Sequence, residues 1–171
     1  MIKKSLTVLL LLSTLSCCIL TVDGFELKEV MGEWWRQGGT SEIAYNFDKY
    51  SYKISDDGSQ FFGYQQGLYK GQRRPLVVID VLKHSDSTPS NEYENILAYS
   101  SLPVQNPRIT AFIDTDSSNY LIQKVLVGED QKVEWVILTR ERGVSTQEYE
   151  EYIKKATEVS GIDRSLFQRK H

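Results

Sequence analysis

Histidine is the side chain that most readily does acid–base or metal chemistry near neutral pH. This 171-residue chain has two, His84 and the terminal His171. Two imidazoles so far apart assemble neither a zinc triad nor a Ser-His-Asp arrangement. His84 falls at a strand end, where a lone imidazole can ligate haem iron from the mouth of a barrel. The simpler expectation is a solvent-exposed strand-end histidine. Asp114-x-Asp116 has the opening spacing of a calcium loop, but Asn119 and Val125 stand where such a loop needs Gly and Glu, so no metal is expected there. Gly63, Gly67 and Gly71 lie among strand-like residues and open no helix, which makes them bends in a curved sheet rather than a phosphate cradle. The cysteines, Cys17 and Cys18, are adjacent in an apolar N-terminal run. No catalytic residue, metal or cofactor is expected from this inventory.

The run MIKKSLTVLLLLSTLSCCIL sets two lysines ahead of an apolar stretch too short for a comfortable bilayer span. It reads as a secretory signal peptide over 1–24, with Val22 and Gly24 at the small-residue positions before a cut at Phe25. A second reading makes Leu15-Ser16-Cys17-Cys18 a bacterial lipoprotein box, anchoring the chain to the envelope through Cys17 or Cys18. The remainder, 25–171, is long enough for one domain with its own core. A chain exported after cleavage at Phe25 keeps no cysteine, hence no disulfide and no thiol nucleophile. The formal net charge is −3 and no basic block is longer than Arg73-Arg74, so nucleic acid is not an expected partner.

From Glu42 to Thr139, short segments rich in Tyr, Phe, Val and Ile alternate with turn chemistry such as Asp56-Asp57-Gly58, Lys70-Gly71-Gln72 and Gly128-Glu129-Asp130. Strands are expected over 32–38, 42–55, 59–70, 75–84, 92–101, 108–115, 119–127 and 132–139. Eight strands in hairpin succession predict an all-β fold, an antiparallel up-and-down β-barrel. Parity changes between Phe47 and Tyr50, which predicts a bulge near Asp48-Lys49. The period then becomes helical. Ser145-Thr146-Gln147-Glu148 is a capping box, Tyr149, Tyr152, Ile153 and Ala156 share one face, and Gly161 ends the helix. That one C-terminal amphipathic helix should pack outside the barrel.

An eight-stranded barrel either fills its interior with side chains or holds one small ligand. Alternation nominates Tyr64 and Leu68, then Val77, Ile79 and Val81, then Tyr93, Leu97 and Tyr99, and finally Ile109, Ala111 and Ile113 as the ligand-binding wall. This set is apolar with phenolic hydroxyls and suits a hydrophobic molecule carrying a few polar groups. A one-residue parity shift would turn it inside out.

Three stretches, Met31-Gly32-Glu33-Trp34-Trp35, Asp114 to Tyr120, and Trp135 to Arg140, together resemble the lipocalin (calycin) signature set. The matching residues are Gly32 and Trp34 for Gly-x-Trp, Thr115, Asp116, Asn119 and Tyr120 for Thr-Asp-x-x-Asn-Tyr, and Arg140 for the arginine after the last strand. FELKEVMGEWW, TDSSNYLI, and EWVILTR with GIDRSLF are most similar to the apolipoprotein D and bacterial lipocalin branch, from Phe25 to Phe167. Ser117 stands where Tyr is usual, and the disulfides common in animal relatives are missing. The resemblance implies that Trp34 closes one end of the barrel beneath Arg140, a structural pair that does not touch ligand. Trp35 should face away and pack beneath the helix around Tyr149 and Ile153. It also implies a secreted, non-enzymatic carrier of a small hydrophobic ligand such as a fatty acid, retinoid, sterol, pigment or lysolipid. One alternative is a protein-binding lipocalin that engages a receptor or protease without cargo. Another is an isomerase like prostaglandin D synthase, whose interior cysteine this chain lacks. Membrane or lipoprotein association and a cell-surface receptor stand as further partners.

Overall fold

The computed structural model describes residues 21–22, 25–40, 45–69, 75–84, 89–104 and 106–170. Most of the expected signal segment, including Cys17 and Cys18, lies outside them, as do 42–44 of the second expected strand. Eight long strands follow the order of the sequence: β1 (Gly32–Gly39), β2 (Tyr45–Ile54), β3 (Phe61–Tyr69), β4 (Pro75–Lys83), β5 (Glu92–Ser100), β6 (Arg108–Thr115), β7 (Tyr120–Val127) and β8 (Lys132–Thr139). Each pairs antiparallel with the next, and β8 returns to pair with β1. The result is the closed up-and-down barrel that the turn spacing predicts. Gly58 and Gly128 take positive φ in the β2–β3 and β7–β8 turns, the conformation that suits glycine in tight reversals.

The expected bulge in β2 is present, since the register with β3 slips between Phe47 and Lys49. It keeps Phe47, Tyr50 and Tyr52 all buried in the interior cluster. β2 pairs with β1 only over Gly32 to Trp35. Beyond that point a short strand β9 (Gln168–Arg169) pairs with Gly39 and Gly38 instead.

The helix α1 (Thr146–Ser160) begins as its capping box requires. Ser145 accepts from the Glu148 amide at 3.2 Å and Glu148 accepts from the Ser145 amide at 2.7 Å. Gly161, at φ 69°, closes it in the left-handed conformation. Tyr149, Ile153 and Ala156 bury against Tyr120, Ile122, Trp135, Ile137 and Phe167 on the outside of the barrel. Gly38 permits this docking, because a Cβ there would collide with the Tyr149 hydroxyl and the Gln168 carbonyl. Trp35 does face away from Trp34, but the indole beneath the helix belongs to Trp135. The helix lies over β7 and β8, whereas Trp35 pairs with Lys49 and Thr139 further round the sheet. Its half-exposed ring has the cations of Lys49 and Arg142 over it, each 5.2 Å from the ring centre. Among the described residues no helix is long and apolar enough to cross a membrane.

Candidate functional site

One end of the barrel is closed by the expected pair. Trp34 is fully buried, donates its indole N–H to the Val30 carbonyl at 2.7 Å, and carries the Arg140 guanidinium 3.5 Å above its ring. Arg140 also donates to the carbonyls of Glu29, Glu33 and Ser117 at 3.0 to 3.2 Å. Gly32 takes φ +91°, and a Cβ there would press within 3.1 Å of Arg140, so the glycine both turns the chain and leaves room for the guanidinium. Asp116 holds the loop that supplies the Ser117 carbonyl. It accepts the amides of Asn119 at 2.7 Å and Tyr120 at 3.0 Å and the Asn119 side-chain amide at 2.8 Å. Burial works against its charge, but those hydrogen bonds hold its carboxyl below the usual range. Thr115 accepts from the Ser117 amide at 2.9 Å and donates to the Tyr120 carbonyl at 2.6 Å. The change at Ser117 leaves this clamp intact because its contribution is a main-chain carbonyl.

Above this floor the inner wall runs in the opposite phase to the one alternation nominated. On β3 the buried positions are Phe61, Gly63, Gln65 and Gly67, and on β4 they are Leu76, Val78, Asp80 and Leu82. Tyr64, Leu68, Val77, Ile79 and Val81 therefore face outward. So does Tyr99, paired with Ile79 and 53% exposed. On β6 Arg108, Thr110 and Phe112 are buried and inward, which puts Ile109, Ala111 and Ile113 on the outward phase, where Ala111 is nonetheless covered at 2% exposure and the other two are half-buried. Ile113 packs toward the helix. Tyr93 belongs to the interior cluster. Leu97 pairs with inward Asp80 yet is 37% exposed. The physical cause of the reversal is that the interior carries charge, so that the polar residues of these strands point in and many of the apolar ones point out.

Two ion pairs lie in the lumen, one between the neighbouring strands β1 and β8 and one between β6 and β4. Arg36 meets Glu134 at 2.7 Å with both side chains under 10% exposed, and Arg108 meets Asp80 at 2.5 Å with the aspartate fully buried. Asn95 donates to the other Asp80 oxygen at 3.0 Å. Burial pushes the carboxyls of Asp80 and Glu134 up, against the pull of their guanidinium partners. The Tyr50 and Tyr52 phenols are likewise driven well up by burial, so both stay protonated donors at neutral pH. The Tyr52 hydroxyl donates a hydrogen bond to Gln123 Oε1 at 2.5 Å. Asn95 Oδ1 and Gln123 Nε2 are buried with no hydrogen-bond partner among the described residues, one acceptor and one donor left over. Around them stand the rings of Tyr52, Phe61, Tyr93 and Phe112 in edge-to-face contact at 5.0 to 5.7 Å.

A cavity of about 20 Å³ remains in the upper half of the barrel, bounded by Phe47, Tyr50, Gln65, Val104, Arg108, Val125, Val127 and Glu134. That is room for about one water molecule. The mouth is covered by the β5–β6 loop, whose Leu102 and Val104 pack against the interior cluster. A larger cleft of about 390 Å³ lies where β2 parts from β1, lined by Trp35, Arg36, Gln37, Asp48, Leu68, Arg142 and Lys170.

His84 is half-buried rather than solvent-exposed, edge-on to Tyr93 at 5.8 Å. Among the described residues no group of three or more His, Cys, Asp and Glu side chains is placed to hold a metal. Asp114 accepts the Tyr120 hydroxyl at 2.9 Å, so both carboxylates of the calcium-like spacing have protein partners. Arg36, Gln65, Asp80, Asn95, Arg108, Gln123 and Glu134 were not nominated by alternation. A signal was present in the two opposite-sign pairs set in otherwise apolar strands, because buried charges come paired.

A closed eight-stranded meander with an indole under an arginine at one end and a single helix on its flank is the lipocalin fold. Solved structures agree. The tryptamine complex of the amine binding protein of Rhodnius prolixus aligns at TM-score 0.61 and 17% identity, covering 87% of this chain and 84% of that one. Lobster apocrustacyanin A1 aligns at 0.60 and 14%, covering 84% and 77%. The bovine lipocalin allergen Bos d 2 aligns at 0.55 and 12%, covering 82% and 91%. At such identities the likeness is one of fold. No family model and no curated protein sequence matches the chain.

Proposed function

We propose that the chain is a non-catalytic lipocalin that carries one compact amphipathic molecule in its barrel, an aromatic body bearing both a donor or cationic group and an acceptor or anionic group. The observation that carries this reading is the wall of the cavity, where Glu134 and Arg108 are set among aromatic and aliphatic side chains. Each is already paired within the chain, Glu134 with Arg36 and Arg108 with Asp80. A cargo with polar or charged ends offers their remaining lone pairs and N–H groups further partners, whereas a long alkyl chain desolvates them and offers none. The fatty acids, retinoids and sterols expected from the resemblance are thus the less suited cargo. The Rhodnius protein was solved with tryptamine, which shares the aromatic body and the cationic end of such a cargo but not an anionic one. The described residues hold no cysteine, which leaves a thiolate isomerase without its nucleophile.

Entry requires Leu102 and Val104 to leave the mouth, so ligand and loop compete for the same apolar contacts. Trimming the plug should then tighten binding. Val104→Ser removes about 1 kcal/mol of that competition, equivalent to about fivefold in affinity. Native mass spectrometry against aromatic amines, aromatic zwitterions, fatty acids and a retinoid tests both points. The expected result is a one-to-one adduct with the dipolar aromatics, strengthened in Val104→Ser. Equal binding of fatty acids, or weaker binding by the variant, would count against it.

The near-filled interior favours a second reading, a protein-binding lipocalin without cargo, and a barrel that stays empty against the whole panel would select it. Secretion belongs to the same proposal, supported by the lysines and apolar run of 1–24. Sequencing of exported protein should begin at Phe25, and a lipidated N-terminal Cys17 or Cys18 would replace secretion by an envelope anchor.

A further inference from the structure

The outward phase of β3, β4 and β5 leaves an apolar strip on the outside of the barrel. Two cross-strand rows make it, Phe62–Val81–Ile96 and Tyr64–Ile79–Tyr99, each in register across the three strands. Ile96 is 43% and Tyr99 53% exposed, and the inner members are half-buried. The helix cannot cover them, since it packs over β7 and β8. Contiguous apolar surface of this kind on a soluble barrel marks a contact face.

We infer that this strip is the interface of a homodimer, two copies packed sheet to sheet about a twofold axis running along β4. In such an interface the residues on the axis meet their own copies, so like charges there repel. The outward residues at the centre of β4 are Ile79 and Val81, which carry none. Residues on either side of the axis meet those of the opposite flank. Lys53, on the β2 flank with its ammonium 5.7 Å over the Tyr64 ring, is turned toward Glu94 on the β5 flank of the second copy. The same rotation lays Tyr64 over Tyr99 and Phe62 over Ile96. Lys83 ends the strip beside its cross-strand neighbour Glu94, so where the two copies of Lys83 approach, a carboxylate flanks each. The two flanks differ in sign and the centre is neutral, which is the charge pattern of a surface complementary to itself.

Sedimentation velocity on the protein at micromolar to submillimolar concentration tests this. Wild type should show a concentration-dependent dimer. Ile79→Glu, and separately the more exposed Tyr99→Glu, should be monomeric with unchanged circular dichroism. Lys53→Glu and Glu94→Lys should each weaken the dimer about tenfold or more, and the two together should restore it. A wild-type monomer throughout that range would overturn the proposal, as would a dimer indifferent to both glutamate variants. A double charge swap weaker than either single change would overturn the axis along β4. A monomer that floats with phosphatidylcholine vesicles through these same residues would assign the strip to a lipid surface instead.

Discussion

Trp34→Ala should lower the free energy of unfolding by about 3 to 5 kcal/mol, the range for truncating a large buried aromatic. The indole is fully buried and sits at the floor of the barrel, so the void it leaves cannot be filled by solvent-facing side chains. The change also orphans the Val30 carbonyl, which now accepts at 2.7 Å, and removes the surface on which Arg140 rests at 3.5 Å. Arg140→Ala should cost less, about 1 to 3 kcal/mol, because it loses a cation–π contact and hydrogen bonds at a partly exposed site. Arg140→Lys should recover little of that, since one ammonium cannot reach three carbonyls in the directions a planar guanidinium does. Urea denaturation ranks the three variants. Equal stability of wild type and Trp34→Ala would contradict the assignment of Trp34 to the floor.

Asp80→Ala should be comparably damaging, about 3 to 5 kcal/mol, because it leaves the Arg108 guanidinium buried and uncompensated. It also deprives Asn95 of its acceptor, the Asp80 oxygen at 3.0 Å. Replacing both partners, Asp80→Leu with Arg108→Met, should return stability to within about 1 kcal/mol of wild type or above it, since apolar packing replaces two desolvated charges. The pH dependence has a definite sign. Burial raises the Asp80 carboxyl, so the folded chain keeps that proton to higher pH than the unfolded chain. The stability of wild type relative to the double variant should therefore fall as pH rises from about 4 through the raised pKa. If the double variant were as unstable as Asp80→Ala, the pair would contribute more through geometry than desolvation removes. Stability is also where function parts from folding, because the double variant should fold well and lose its preference for dipolar over apolar ligands.

The eight strands and the helix were legible because local chemistry marks their ends. Gly58, Gly128 and Gly161 adopt the positive φ their turns and cap require, and Ser145 with Glu148 closes the capping box. The floor was legible too, since Gly32, Trp34, Asp116 and Arg140 act through short-range geometry that a motif can encode. The lining of the lumen was not. In β4, Leu76, Val78 and Leu82 alternate with Val77, Ile79 and Val81, so hydrophobicity alone assigns neither face. Asp80 then suggests that its own face is the wet one. Its partner Arg108 lies two strands away, and only tertiary pairing reveals that the charge is buried. β3 misleads similarly, because its inward Gly63, Gln65 and Gly67 look less core-like than its outward Tyr64 and Leu68.

On the proposed reading, a small dipolar molecule occupies the barrel. The most direct measurement follows the side-chain amide signals of Gln65, Asn95 and Gln123 by NMR while the tightest aromatic amine or zwitterion from the panel is added. Saturable shifts of these three amides at one equivalent, with the amides of Ile79 and Tyr99 on the outer face unmoved, are the expected result. Shifts confined to the outer face, or none at all with a ligand that binds, would contradict it.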